Sequence, residues 1–596
     1  MSVGAWNVSR GAPRSAALAL AAVLSAVLVA SCVEGARFVP AGEGFGKETL
    51  ISGRGLGLDL NRNLRVDPAN GTALDRYVAI PTPEYEWKYN ASNTWEGSIP
   101  LLGSYTVYTL NVTSQEWLTE AEAGSCGLWQ HAVAVVVPHN LDKSIDTALI
   151  WPTNGDNPPK LPTDKDFNMV LVTTLAVLTK SVVVSLFQCP NQLCSFPEDP
   201  KHDNRRSEDS LIAYTWLRYL ELMHSGDPDG RAFRWPSHMP MTKSIVRAMD
   251  ATQEFLSQCE DCGFADAGAP GSWIVFGASK RGWATWLTAA VDKRVVGIAP
   301  VVMDLLHMHK GFHRWWQNYG GWTFIGKDYF DEGLFKYLDS PEMQDFFAFE
   351  DPIVYKDRYT DLPKLIVTAT GDEFFQVTDD HLWFDEMNVV PGKNLLLRAP
   401  NADHFEVTGI SKIIPSLATW THKINEARQA SREPEFPLLK WNLWSEGEGQ
   451  AQVGHINVTL DLTSPGALKP LSVHLRHAHT DPRHKRLDFR WFNLDEDCDL
   501  PRMEVYGSSV CPIQLVWLDD ALEPVVSTDE ALVYSASMGA PENGGFAGFY
   551  IQFEFPGQEE LVFVDLPLTV NTQVQIVPNT LPFSDCKGGE CEGHLV

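Results

Sequence analysis

The sequence predicts an α/β fold, a mostly parallel sheet with helices on both faces, followed by a β-sandwich-like domain. Three observations carry that expectation. Between residues 83 and 432, short apolar runs alternate with amphipathic stretches of helical period, the pattern of βαβ units. One run, Trp273-Ile274-Val275-Phe276, leads at once into a small-residue turn, Gly277-Ala278-Ser279, and then into a helical stretch. Beyond Glu433-Pro434-Glu435-Phe436-Pro437 the texture changes to short alternating segments divided by turn residues, as in an all-β domain.

Residues 1–32 have the form of a signal peptide. Arg10 and Arg14 precede an apolar run over 15–30 that is short for a bilayer span, and small residues follow at Ala30 and Ser31. Export is therefore expected. Val29-Ala30-Ser31-Cys32 also matches a bacterial lipoprotein cleavage box, which would anchor the chain through lipid on Cys32. No later stretch reads as a membrane span. Residues 33–82 read as a loop-rich lead-in.

Strands are expected over 105–112, 132–137, 148–151, 182–187, 273–276, 295–302, 364–370 and 394–398. Helices are expected over 168–180, 207–223, 241–258, 283–291 and 410–427. Residues 304–355 interrupt this rhythm with an aromatic insertion that includes Trp315, Trp316, Trp322 and Tyr329. It reads equally well as a cap over a cleft and as a packed subdomain. In the C-terminal domain, 433–596, strands are expected over 455–460, 471–475, 513–518, 548–555 and 572–577.

At 596 residues the chain is too long for one core. Its 76 acidic and 47 basic residues give a net charge of −29, a field that repels polyanions and excludes nucleic acid as a natural partner. Sequons at Asn70, Asn90, Asn111 and Asn457 fit a secretory route. Neighbouring cysteines suggest the pairs Cys189/Cys194, Cys259/Cys262, Cys498/Cys511 and Cys586/Cys591, with Cys126 left over.

The chemistry points to Ser279. A serine at a strand-to-helix corner is held above the sheet edge, but a hydroxyl is a weak nucleophile without a base, and the base needs an orienting acid. Asp372 follows the 364–370 strand and His404 follows the 394–398 strand, so all three fall at one edge of one sheet in the order Ser, Asp, His. This is the arrangement of an α/β-hydrolase. The glycine of the usual G-x-S-x-G pattern comes one residue late, at Gly282, with Arg281 in its place. Glu373, Asp403 and Asp304 are rival acids. Oxyanion donors are expected from the Lys280 amide and from the loop after 148–151, where Thr153, Asn154 and Gly155 carry N–H groups and Pro152 does not. The Lys280 and Arg281 side chains read as surface groups. His307, His309 and His313, and His474, His477, His479 and His484, form two groups read as structural, so neither a metal nor a cofactor is expected.

At these residues the chain resembles the PhoPQ-activated pathogenicity-related proteins, which include the autocrine proliferation repressor type. The likeness runs from about residue 85 to the C-terminus. It rests on Gly277-Ala278-Ser279-Lys280-Arg281-Gly282-Trp283 and Thr370-Gly371-Asp372-Glu373-Phe374-Phe375. Ser207-Glu208-Asp209, Pro240-Met241-Thr242-Lys243 and Pro400-Asn401-Ala402-Asp403-His404 support it. The resemblance implies an exported α/β-hydrolase fold with a β-rich extension, and it makes Gly282 a family feature. The expected function is a secreted serine hydrolase acting on an ester or a small peptide-like amide. The alternative is a non-catalytic secreted growth-regulating factor on the same scaffold, acting through a cell-surface receptor.

Overall fold

Continuous apolar runs, buried on both faces, build the centre of the sheet. The computed structural model describes residues 51–54, 61–201, 205–264, 268–406, 408–542, 544–557 and 566–596. The expected signal peptide and Cys32 lie outside the described residues. Ten strands come first: β1 Ile51–Arg54, β2 Glu86–Ile99, β3 Gly103–Glu116, β4 Leu128–Pro138, β5 Thr147–Pro152, β6 Val183–Leu186, β7 Ser272–Ala278, β8 Val295–Val301, β9 Lys364–Ala369 and β10 Asn394–Ala399. They lie in the order β1-β2-β3-β4-β6-β5-β7-β8-β9-β10. The run from β6 to β10 is parallel, and β1 to β4 form an antiparallel flank.

Among the described residues, seven helices of ten or more residues flank or cap this sheet: α1 Phe167–Thr179, α2 Glu208–His224, α3 His238–Gln258, α4 Lys280–Val291, α5 Met308–Tyr319, α6 Pro341–Glu350 and α7 Ile410–Gln429. Side chains alternate across β7. Trp273 and Val275 enter one core with Leu211, Ile245 and Trp286, from α2, α3 and α4. Ile274 and Phe276 enter the other with Val172 of α1 and Trp420 of α7. Because β5 lies between β6 and β7, the chain leaves β5 toward one side and later crosses to the other. The carboxyl ends of β5 and β7 thus flank a switch point, where sheets of this kind hold ligands.

The C-terminal region prolongs the same sheet. Leu396 of β10 pairs with Asn571, and Leu568–Asn571, Ala547–Phe555, Ser472–His479 and Leu518–Ala521 follow in antiparallel order. A second sheet, Leu438–Glu446, Val453–Asp461, Ala531–Gly539 and Val526–Ser527, packs over that extension. Ile456, Val458 and Tyr534 are buried against Phe549, Ile551 and Phe553, which gives the two-layer β packing of a sandwich.

Several expectations need correction. The lead-in carries β1 and a short helix, Ala73–Val78, whose capping box joins Thr72 and Asp75. The expected strand over 513–518 is absent apart from its last residue; the Trp517 backbone is held instead by the Asn401 side chain, which donates to its carbonyl at 3.0 Å and accepts from its N–H at 2.7 Å. α3 starts earlier than expected, at His238, because Pro240 sits in its first turn, where a missing N–H costs nothing.

The cysteine pairing also differs. Cys126 bonds to Cys194, with Cα atoms 5.3 Å apart, and among the described residues Cys189 is the free thiol. The Cys194 backbone pairs with that of Arg206, which carries it away from its near neighbour Cys189. Cys189 is buried with its sulfur toward the Met241 carbonyl, and burial pushes its thiol up to about 12. The other three expected pairs form. Alkylation of the native protein should therefore spare Cys189 and modify it only after denaturation; mass mapping of Cys189 peptides checks this, and rapid native modification would contradict the burial.

Candidate active site

Ser279 stands between β7 and α4 with φ 56° and ψ −126°, a conformation that a non-glycine residue holds only where its surroundings enforce it. Close packing is what enforces it. A Cβ on Gly277 would lie 2.6 Å from the Arg281 carbonyl oxygen, and one on Gly282 would lie 2.9 Å from Met303 Cβ and 3.1 Å from the Val301 oxygen. The glycine of this elbow therefore falls at 282, the position that crosses the end of β8. α4 begins directly at Lys280 rather than at 283.

The loops after β9 and β10 meet this corner. His404 Nε2 lies 2.9 Å from Ser279 Oγ, and His404 Nδ1 lies 2.9 Å from Asp372 Oδ1. The same Asp372 oxygen accepts the Phe374 and Phe375 backbone N–H groups at 2.7 and 3.1 Å, which fixes the carboxylate. The imidazole packs against the Phe374 and Phe375 rings, with centroids 4.9 and 5.9 Å away. His404 and Asp372 are buried, and Ser279 is half-buried.

The rival acids stand differently. Glu373 accepts the His404 backbone N–H at 3.2 Å rather than its ring. Burial, then the charges of Asp372 and Asp403, push its carboxyl up to about 9. Asp304 is fully buried; burial and its neighbours Asp379 and Asp380 hold it well above the ordinary carboxylate range. Burial likewise raises Asp403.

The model of the PhoPQ-activated pathogenicity-related protein family matches residues 74–490, a span that contains the whole Ser279 corner. The chain belongs to that family. It is also 31% identical over 518 residues to autocrine proliferation repressor protein A of Dictyostelium discoideum, covering 86% of this chain and 92% of that one. Among solved structures, it is similar to acetyl xylan esterase 1 of Thermoanaerobacterium at 14% identity, covering 56% of this chain and 87% of that one, with a TM-score of 0.33. A Paenibacillus acetyl xylan esterase is similar at 13% identity, covering 60% and 97%, with a TM-score of 0.35.

In this PhoPQ-related protein the Lys280 and Arg281 side chains are not surface groups. Lys280 Nζ lies 3.1 Å from Glu208 and 3.0 Å from Asp209, and Arg281 reaches Glu208 at 2.6 Å and the Cys189 carbonyl at 2.7 Å. Burial would raise the Glu208 carboxyl, but the charges of Arg281 and Lys280 outweigh it and hold it well below the ordinary range. Nothing in the sequence signalled this cluster beyond the acidic start of α2.

A cavity of about 820 Å³, counting its open mouth, extends from Ser279 into the aromatic insertion. Trp283, Phe312, Trp315, Trp322, Phe335 and Phe375 are among its walls, so the insertion contributes directly to the space beside Ser279. Lys280 lines it, whereas Asn154 and Gly155 do not. The Lys280 amide lies in the first turn of α4, where an N–H has no partner within the helix. The Thr153 amide is taken by the Leu186 carbonyl at 2.7 Å, which leaves Asn154 and Gly155 as the N–H groups of that loop.

Glu373 supplies a pH test. The folded chain keeps its proton up to about 9, whereas the unfolded carboxyl releases it near 4.5. The native state thus binds more protons across that window, and this residue lowers stability as pH rises. Glu373→Gln, a mimic of the neutral acid, should change Tm little at about pH 5 and raise it increasingly toward about pH 9. Parallel melting curves check this; a difference that does not vary with pH would overturn it.

Proposed function

We propose that this protein is a secreted serine hydrolase that cleaves an ester or a small peptide-like amide. The observation that carries the reading is the unbroken chain Ser279–His404–Asp372, with both links at 2.9 Å, opening on an aromatic cavity. Ser279 Oγ attacks the substrate carbonyl carbon as His404 Nε2 takes its proton. Asp372 accepts from His404 Nδ1 and stabilises the imidazolium. The Lys280 N–H, with an N–H of Asn154 or Gly155, receives the developing oxyanion; one such donor contributes about 10²–10³ in rate. The imidazolium then protonates the leaving alcohol or amine, and water, activated by His404, releases the acid and restores Ser279.

The cavity walls refine the substrate. The charges of Lys280 and Asp209 are paired with each other, so they present little net charge to a ligand. The rest of the lining is almost entirely apolar, which suits a substrate with a bulky apolar or aromatic part.

A second reading is an exported, non-catalytic growth-regulating factor that acts through a cell-surface receptor, and the name of the Dictyostelium relative, an autocrine proliferation repressor, bears on its growth-regulating part. One experiment separates the two. A fluorophosphonate probe should label the folded protein, Ser279→Ala should abolish labelling, and Asp372→Asn should slow it strongly, in line with the loss of about 10⁴ in kcat seen when a triad aspartate is removed. Folded wild-type protein that resists the probe would favour the binding factor.

A further inference from the structure

Of the two histidine groups in the sequence, one converges. His309 and His313 stand one turn apart on α5, and their Nε2 atoms each lie 3.0 Å from the same Asp339 oxygen, Oδ1. One ligand atom from each of the three residues falls within 4.8 Å of the others. Four of the five remaining histidines pair elsewhere: His307 with Glu386, His474 with Asp519, His477 with Asp520 and His484 with Asp495.

We propose that His309, His313 and Asp339 form a binding site for a divalent transition metal, with zinc as the natural occupant. Two imidazole nitrogens and one carboxylate oxygen are a common zinc donor set, with bonds of about 2.0–2.2 Å, and here both nitrogens lie 3.0 Å from the carboxylate oxygen with all three atoms within 4.8 Å, close enough to share one ion. The hydrogen bonding around His313 fits the same reading. Its Nδ1 lies 2.8 Å from Asp585 Oδ1, while its Nε2 faces Asp339. A neutral imidazole carries one proton, so one of these contacts would set lone pair against lone pair. A metal removes the conflict: Nδ1–H donates to Asp585 and the Nε2 lone pair goes to the ion, the carboxylate–histidine–metal relay that orients ligands in zinc sites. An imidazolium between two carboxylates removes it without a metal, and the experiment separates these cases.

The rest of the site is prepared for an ion. Asp339 Oδ2 accepts the Gly588 N–H at 2.7 Å, which leaves Oδ1 for the histidines. The Cys586 and Cys591 sulfurs also approach His313, but as a disulfide they offer no thiolate. Three protein donors leave a fourth position for water. The ion would tie α5 to the turn before α6, and Asp585 and Gly588 would bind the C-terminal segment to the same point. Phe312 and Phe347, which line the Ser279 cavity, come from these same two helices. The metal therefore stiffens the wall of the cavity, and the site stands whether or not Ser279 is a nucleophile.

The test uses the full chain, stripped with a chelator and kept free of reductant so that the Cys586–Cys591 bond persists. Titration calorimetry with zinc should give one equivalent bound, Tm should rise on loading, and cobalt should give the visible bands of a four-coordinate site. The double variant His309→Ala/His313→Ala should lose the heat and the bands while its metal-free circular dichroism stays that of the wild type. Asp585→Asn, which keeps all three donors, should weaken binding about 10- to 100-fold. A wild-type protein that gives neither heat nor cobalt bands, as an imidazolium would, overturns the proposal. So does binding that is undiminished in the double variant or, should that variant misfold, in Asp585→Asn.

Discussion

Lys280 and Arg281 put two positive charges into the first turn of α4, the end of a helix where the aligned peptide dipoles already concentrate positive potential. Both side chains are largely buried, so water does not offset this. The carboxylates of Glu208 and Asp209 do so, and they stand in the first turn of α2, where the dipole favours negative charge. The two helix starts are thereby locked face to face. Asp209 also accepts from Tyr329 at 3.0 Å, which extends the lock into the aromatic insertion. The corner at Ser279, the cavity wall and the insertion thus depend on one partly buried cluster in which every charge has a partner. Removing Glu208 would leave the largely buried Arg281 guanidinium without its carboxylate, the costly case for buried ion pairs.

Acidic groups crowd the same sheet edge, and their environments sort them. Asp372, Glu373, Asp304, Asp379 and Glu406 are all buried near the carboxyl ends of β8 to β10. Asp372 receives two backbone N–H groups and an imidazole on one oxygen. Glu373 receives the His404 backbone N–H, but burial and the nearby negative charges outweigh it, and they also hold the proton on Glu406. Asp372 is thus the acid placed against the His404 ring, while burial keeps the protons on its neighbours Glu373 and Glu406.

Much of this was legible in the sequence, for reasons of period and placement. The β5–β10 strands are short apolar runs in a chain of ordinary composition, and a parallel sheet requires just that pattern. Ser279, Asp372 and His404 each follow such a run, so topology brought them to one edge before any distance was known. Features set by contacts between distant segments were not legible. The Cys126–Cys194 bond spans 68 residues, whereas the nearer Cys189 is buried and turned toward Met241. Trp517 reads as part of a strand, yet its backbone partner is the side chain of Asn401, 116 residues away. Lys280 and Arg281 read as surface cations because sequence shows charge but not the acids that meet it.

The C-terminal region bears on the site through its contacts with the loops that carry Asp372 and His404. The Trp491 N–H donates to the Gly371 carbonyl at 3.2 Å, one residue before Asp372, and Asn401, three before His404, is clamped on Trp517. Farther along, Trp322 of the insertion exchanges backbone hydrogen bonds with His594 and Val596, and its indole donates to the Cys591 carbonyl. The two loops that bring Asp372 and His404 to Ser279, and the insertion that walls the cavity, are therefore held by one β-rich region that joins the central sheet at β10. Loops left to themselves are the least stable parts of a fold. Tying them to an extension of the sheet gives them the rigidity of the sheet, which the 2.9 Å geometry at Ser279 requires.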